Sequence, residues 1–168
     1  LCNRSEQKWV GDITYVWTAT GSMCLAVIID LFSRRVVGWS TADHMRASLP
    51  ANALGRRRPP AGLIDHTDCG RQYASASTAL SRLEMEHLQY QPDRKLLRRR
   101  GGRELLRPLK KDLIRRYRWF GADGVRKALA KYIGIFSNNH RLHSSIGHLS
   151  PAENEAIKST PDVAELAA

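Results

Sequence analysis

Apolar positions in the first forty residues alternate or run on in lengths that suit strands. Residues 9–18 (WVGDITYVWT) alternate apolar with polar and are rich in β-branched and aromatic side chains, which predicts a strand. Gly21-Ser22 supplies a turn. The continuous apolar run of residues 23–30 (MCLAVIID) suits a central strand. Ser33-Arg34-Arg35 separates it from a third short strand, VVGWS, so an antiparallel meander is expected.

Farther on, a short helix is expected at about residues 47–54, then the basic loop Arg56-Arg57-Arg58-Pro59-Pro60. GLIDHT predicts a fourth strand with Asp68 at its C-terminal end. Residues 74–83 read as a helix and residues 84–90 as a fifth strand. Two amphipathic helices are expected at about 109–119 and 122–136. The following segment, SNNHRLHSSIGHLSPAENEAIKS, reads as polar and turn-rich, and a low-structure tail follows. There is no internal repeat. A meander followed by strands alternating with helices predicts a mixed-sheet α/β domain.

A chain of 168 residues is one domain's worth and long enough to bury a core. No stretch approaches the roughly 18 apolar residues of a membrane span. Cys2, Cys24 and Cys69 form no metal-type spacing, and a reducing, cytoplasmic compartment fits them best. The opening LCNRSEQKW has no apolar core of a secretion signal and reads as the interior of a longer chain, without its own end-recognition domain.

Charge alters this picture. Lys and Arg number 27 against 16 acids, a net of +11, and the pI is about 10.1. Such an excess favours a polyanion, of which nucleic acid is the usual one, and no basic amphipathic helix with an aromatic face argues for a membrane surface.

Four segments in series carry more specific information: GDITYVWT, LAVIIDLFSRRVVGW, GLIDHTDCGRQYAS and RLHSSIGHLSPAENE. In that order and spacing the chain resembles the integrase catalytic core of bacterial insertion-sequence transposases, over about residues 9–155. Residues 1–8 then form a linker fragment and 156–168 a tail. The resemblance implies a ribonuclease-H-like α/β fold, a mixed five-stranded sheet flanked by helices. It also implies a site of Asp, Asp and Glu, with thirty-five residues between the last two.

By motif the first acid falls on Asp12 and the second on Asp68. Displacement at phosphorus with two Mg²⁺ ions, or Mn²⁺ in their place, needs hard carboxylate ligands converging at strand ends. Asp30 takes a structural position in the matching motif, paired with Arg34 or Arg35, and Asp65 is incidental. The resemblance further implies DNA contacts at Arg34, Arg35, Arg71, Lys110, Lys111, Arg141 and His143. It implies DNA ends and target as partners, a homo-oligomer, and a cytoplasmic, nucleoid-associated location. His140, His143 and His148 lack the carboxylate or Cys partners of zinc patterns.

The third acid is displaced. Glu104 has the required thirty-five residues after Asp68, but counting back from Leu109-Lys110-Lys111 puts the glutamate on Arg103. A shifted reading frame accounts for the disagreement. Residues 91–98 can be written in codons that, read one base later, give Ser-Arg-Thr-Gly-Asn-Cys-Tyr-Asp, and residues 100–107 can likewise yield Ala-Val-Val-Glu-Ser-Phe-Phe-Ala. Asp68 and Leu109 enclose 40 residues where the family pattern needs 41. About residues 88–108 are therefore read as frameshifted, disordered or non-native, with part of the basic excess an accident of coding. The helix before Arg56 is also shorter than the family's. Two functions follow as expectations: metal-dependent strand cleavage and transfer, impaired in this chain, or a catalytically inactive DNA-binding and assembly remnant.

Overall fold

The computed structural model describes residues 8–46, 48–54, 64–67, 89–90 and 102–159, with residues 64–67, 89–90, 102–105 and 159 described in backbone only. Three strands open the chain: β1 (Lys8–Thr18), β2 (Gly21–Asp30) and β3 (Val36–Ala42). β1 and β2 pair antiparallel from Trp9↔Asp30 to Thr18↔Gly21, so Ala19 and Thr20 alone make the turn. Gly21 has φ +130, a backbone region that a side chain would strain. β3 pairs antiparallel with β2, and Val37 is the extra residue of a bulge between Ile28↔Gly38 and Ile29↔Val36.

Helix α1 (Ser48–Leu54) follows the meander, then β4 (Ile64–Thr67) and β5 (Gln89–Tyr90). Both late strands are parallel to β1, and the five-stranded sheet has the order β3-β2-β1-β4-β5. The expected helix at 74–83 lies outside the described residues, and only the end of the expected strand 84–90 lies within them.

β2 is apolar from Met23 to Ile29, where both its faces are covered. Met23, Leu25, Val27 and Ile29 pack with Leu106, Leu109, Leu113, Val125, Leu129 and Ile133 of the later helices. Cys24, Ala26 and Ile28 pack with Trp9, Val37 and the α1 residues Leu49, Ala53 and Leu54. That second layer is tight. A Cβ on Gly38 would sit 2.0 Å from the Ala53 carbonyl oxygen, so only glycine lets α1 lie this close to β3.

The later helices depart from the sequence reading in three places. Helix α2 (Gly102–Leu109) begins seven residues before the expected start, and continues as a π-helical turn over Lys110–Ile114. Pro108, which has no N–H to give to the carbonyl four residues back, precedes that widened turn. The helix then stops at Ile114 rather than Trp119. Helix α3 (Ala122–Lys131) runs on as a π-helical turn, Tyr132–Ser137, close to the expected span.

The third departure is α4 (Pro151–Ser159), in a segment read as turns. Its start is a capping box. The Ser150 hydroxyl accepts from the Glu153 N–H at 3.3 Å, and the Glu153 carboxylate accepts from the Ser150 N–H at 2.8 Å. Pro151 sits at the first helical position, where its missing N–H costs nothing.

Candidate active site and nucleic-acid surface

β1 and β4 are adjacent and parallel, with the pairs Lys8↔Ile64, Trp9↔Asp65, Val10↔His66 and Gly11↔Thr67. Asp12 is the next residue on β1. Asp68 is the next residue after β4 in sequence and lies outside the described residues. Asp12 stands opposite Val27 of β2, is half-buried, and accepts the N–H of Ile13 on its Oδ1 at 2.8 Å. Side chains alternate along a strand, and Val16 belongs to the core beneath α2 and α3. Asp12, four residues earlier, therefore faces the same layer.

Glu104 lies in the first turn of α2, a helix that packs against β1. The helix begins on Gly102, although glycine is a weak helix former. Leu106, Leu109 and Leu113 at helical spacing bury its apolar stripe, and that burial outweighs the roughly 1 kcal/mol intrinsic cost of a glycine. The window 88–108 is thus not uniformly without structure, since its described parts are the β5 strand and most of α2.

The basic residues expected to touch DNA fall into separate groups. Arg35 pairs with Glu155 of α4. Arg141 donates to Asp112 Oδ2 at 3.2 Å and to the Tyr132 hydroxyl at 3.1 Å, tying the end of α3 to the π-helical turn after α2. Burial pushes the Tyr132 phenol above its ordinary pKa. Lys110 is half-buried and Lys111 exposed on that same turn. Arg34 is half-buried with φ +66 in the β2–β3 turn. Arg71 lies outside the described residues.

His143 is half-buried, and its pKa is held down at about 4 by burial and by the charges of Arg141 and Arg34. Asp30, read as an arginine partner, serves the turn instead. It is buried and accepts from the N–H groups of Phe32 (3.3 Å) and Ser33 (3.1 Å) and from the Ser33 hydroxyl (2.7 Å).

Among the described residues no group of three or more His, Cys, Asp or Glu could hold a metal ion, and His140, His143 and His148 form none. No helix among them is long and apolar enough to cross a membrane. The sequence reading missed Arg115, Arg116, Tyr117 and Arg118, which are all exposed, because it placed them inside a helix. The signal was the mixture of three arginines and three rings in RRYRWF.

The integrase core domain family matches residues 3–94. The chain is 35% identical over 165 residues to the transposase for insertion sequence element IS904 of Lactococcus lactis, covering 92% of this chain and 63% of that protein. It is 37% identical over 167 residues to transposase InsF for insertion sequence IS3A of Escherichia coli, covering 89% of this chain and 54% of the relative. The chain therefore spans between half and two thirds of the length of these curated relatives.

Its fold is that of the HTLV-2 integrase catalytic core domain solved in complex with magnesium, at 19% identity and a TM-score of 0.59, covering 89% of this chain and 96% of that one. A chain of the simian T-cell lymphotropic virus intasome, solved in complex with PP2A regulatory subunit B56 gamma, superposes with a TM-score of 0.66 at 18% identity, over 94% of this chain and 57% of that one. With the ribonuclease-H-like sheet order and the family match over more than half its length, this chain belongs to the integrase core domain family.

Proposed function

We propose that this chain is the strand-transfer core of an insertion-sequence transposase, impaired because its third acid is displaced. One observation carries the first half: the β1–β4 parallel register ends at Gly11↔Thr67, one residue before each of the two motif acids. Continued by one step, that register would set Asp68 beside Asp12, which lies within β1 rather than at its end. Two aspartates there suit Mg²⁺, a hard cation taking oxygen ligands, and Asp12 is already fixed by its bond to Ile13. Bound there, the metal would supply charge stabilisation at the phosphorus and lower the pKa of the attacking oxygen's proton. The carboxylates' own task is to hold position on rigid strands, so that little reorganisation is needed as charge develops.

The impairment rests on the third acid. Glu104 is the nearest carboxylate in sequence, one residue off the frame set by Leu109-Lys110-Lys111, and a one-residue shift turns a helical side chain by about 100°. Arg103 takes the place counted back from that frame. The family match also stops at residue 94, inside the window read as frameshifted.

The test is an Mg²⁺-dependent end-joining assay on this chain and on one with the window rewritten as SRTGNCYDNAVVESFFAT. The rewritten chain is expected to join ends and to lose about a thousandfold or more on Asp12→Asn or Asp68→Asn, as when one member of a unit is removed. Activity in the present chain that vanishes on Glu104→Gln would refute the impairment. Full activity of the rewritten chain after Asp12→Asn would refute the assignment of the site.

A further inference from the structure

We infer that the loop between α2 and α3, Arg115 to Phe120, with the tip of the β1–β2 hairpin, is a binding site for unpaired single-stranded DNA. The inference rests on the DNA-acting reading above and adds to it a site for a second form of the polymer, away from the acids.

The loop interleaves cations with rings: Arg115, Arg116, Tyr117, Arg118, Trp119, Phe120. Phe120 is 87% exposed, Tyr117 55%, and Trp17 on the neighbouring hairpin 73%. Large rings left in water are costly, and in a soluble domain a cluster of them marks a contact surface. The Tyr117 and Trp119 rings stand 5.6 Å apart at 59°, and a groove opens on each side of that pair. One, of about 430 Å³, runs between Trp17 and the loop and carries Arg115 and Arg118; the other, of about 480 Å³, runs along α3 and carries Lys131.

The loop is held in shape. The Trp119 indole N–H donates to the Ile114 carbonyl at 3.1 Å, and the Trp119 carbonyl accepts from the Ala19 N–H at 2.8 Å. Trp119, pinned in this way and packed against Tyr117, loses little freedom on binding, which favours affinity.

Charge selects the occupant. From Leu113 to Gly121 there is no acid, and the acids on either side are engaged, Asp112 by Arg141 and Tyr132 and Asp123 by Arg126. A second copy of this +11 chain would bring like charge to the patch, whereas a polyanion would bring its complement. Exposed rings beside cations fit a strand whose bases are free to stack, and a duplex keeps its base faces inside the helix.

Fluorescence anisotropy of a labelled oligothymidylate of about fifteen nucleotides and of a duplex of equal length tests the site. Tyr117→Ala and Phe120→Ala are each expected to weaken single-strand binding about five- to hundredfold while leaving duplex binding within about twofold. Arg116→Gln is expected to weaken both and to flatten the dependence on salt. The replaced side chains are exposed, so melting temperatures should match the parent's and exclude a folding defect.

Equal losses on both DNAs, or undiminished single-strand binding in the two ring variants, would overturn the site while leaving the DNA-acting reading in place. Concentration-dependent dimers that disappear in Phe120→Ala, with single-strand affinity intact, would assign the patch to a second copy and overturn it likewise. Failure of the parent chain to bind either DNA at low salt would instead sink the DNA-acting reading itself.

Discussion

The side-chain amide of Asn138 takes the place of a neighbouring strand for Val36, accepting its N–H at 2.9 Å and donating to its carbonyl at 3.1 Å. Val36 begins the edge strand β3, and both residues are buried, so neither backbone group has water as an alternative. Asn138→Ala is expected to leave both groups unsatisfied and to lower stability by about 2–4 kcal/mol in urea melts. Asn138→Asp keeps an acceptor, loses the donor and buries a charge, and should be no better than alanine. A neutral result for either would mean the edge is held elsewhere.

Gly38 makes a sharper prediction. Gly38→Ala directs a methyl group at the Ala53 carbonyl, which is backbone and cannot swing away. Helix α1 must move off β3, and a loss of about 3 kcal/mol or more is expected, with the change in amide shifts concentrated in Ser48–Leu54. Unchanged stability would contradict the close packing of this layer.

His143 predicts a pH dependence with a definite sign. Its folded pKa, about 4, lies below the ordinary 6.5. The unfolded chain therefore takes up the proton first as pH falls, and stability present above about 6.5 is lost as pH falls toward 4. The side chain is half exposed, so solvent screening trims the effect to about 1–2 kcal/mol. His143→Gln should flatten the stability profile across that interval; an equally steep fall would assign it to other groups.

The capping box can be tested separately. Ser150→Ala should cost about 1 kcal/mol by removing the first-turn acceptor of α4. Because Glu155 and Asn154 of that helix reach back to Arg35 and to the Phe32 carbonyl, the loosening should be visible at the β2–β3 turn. Hydrogen exchange of the Phe32 and Ser33 amides would report it, and no change there would detach α4 from the turn.

Much of this architecture was legible because period and burial agree. The alternation of β1 and the unbroken apolar run of β2 follow from one half-covered and one doubly covered strand, and both were read correctly. Helix α3 was legible from Val125, Leu129 and Ile133 at helical spacing. Helix α2 was misplaced because its start carries glycines and its interior a proline, whose local preferences oppose the helix that Leu106, Leu109 and Leu113 stabilise through packing. Helix α4 was overlooked although Ser150-Pro151 with Glu153 spells a helix start, since its low hydrophobicity hid the period. Of the candidate site, the strand that carries Asp12 was legible as a strand. The internal ion pairs of Arg35 and Arg141 were not, because a partner 120 or 29 residues away leaves no local trace.

The order of the strands also sets a timetable. β1, β2 and β3 are joined by turns of a few residues, so they close with little loss of chain entropy. The β1–β4 pair joins residues such as Trp9 and Asp65, across the intervening meander and α1. Contacts of that range form late, after their loop entropy has been offset by earlier structure. A nascent chain would thus own a sound three-stranded nucleus well before the strand preceding Asp68 docks beside Asp12. Lesions downstream of β3, such as an altered frame, would leave the meander's own turns and pairings intact, while one face of β2 would still depend on the later helices for its cover.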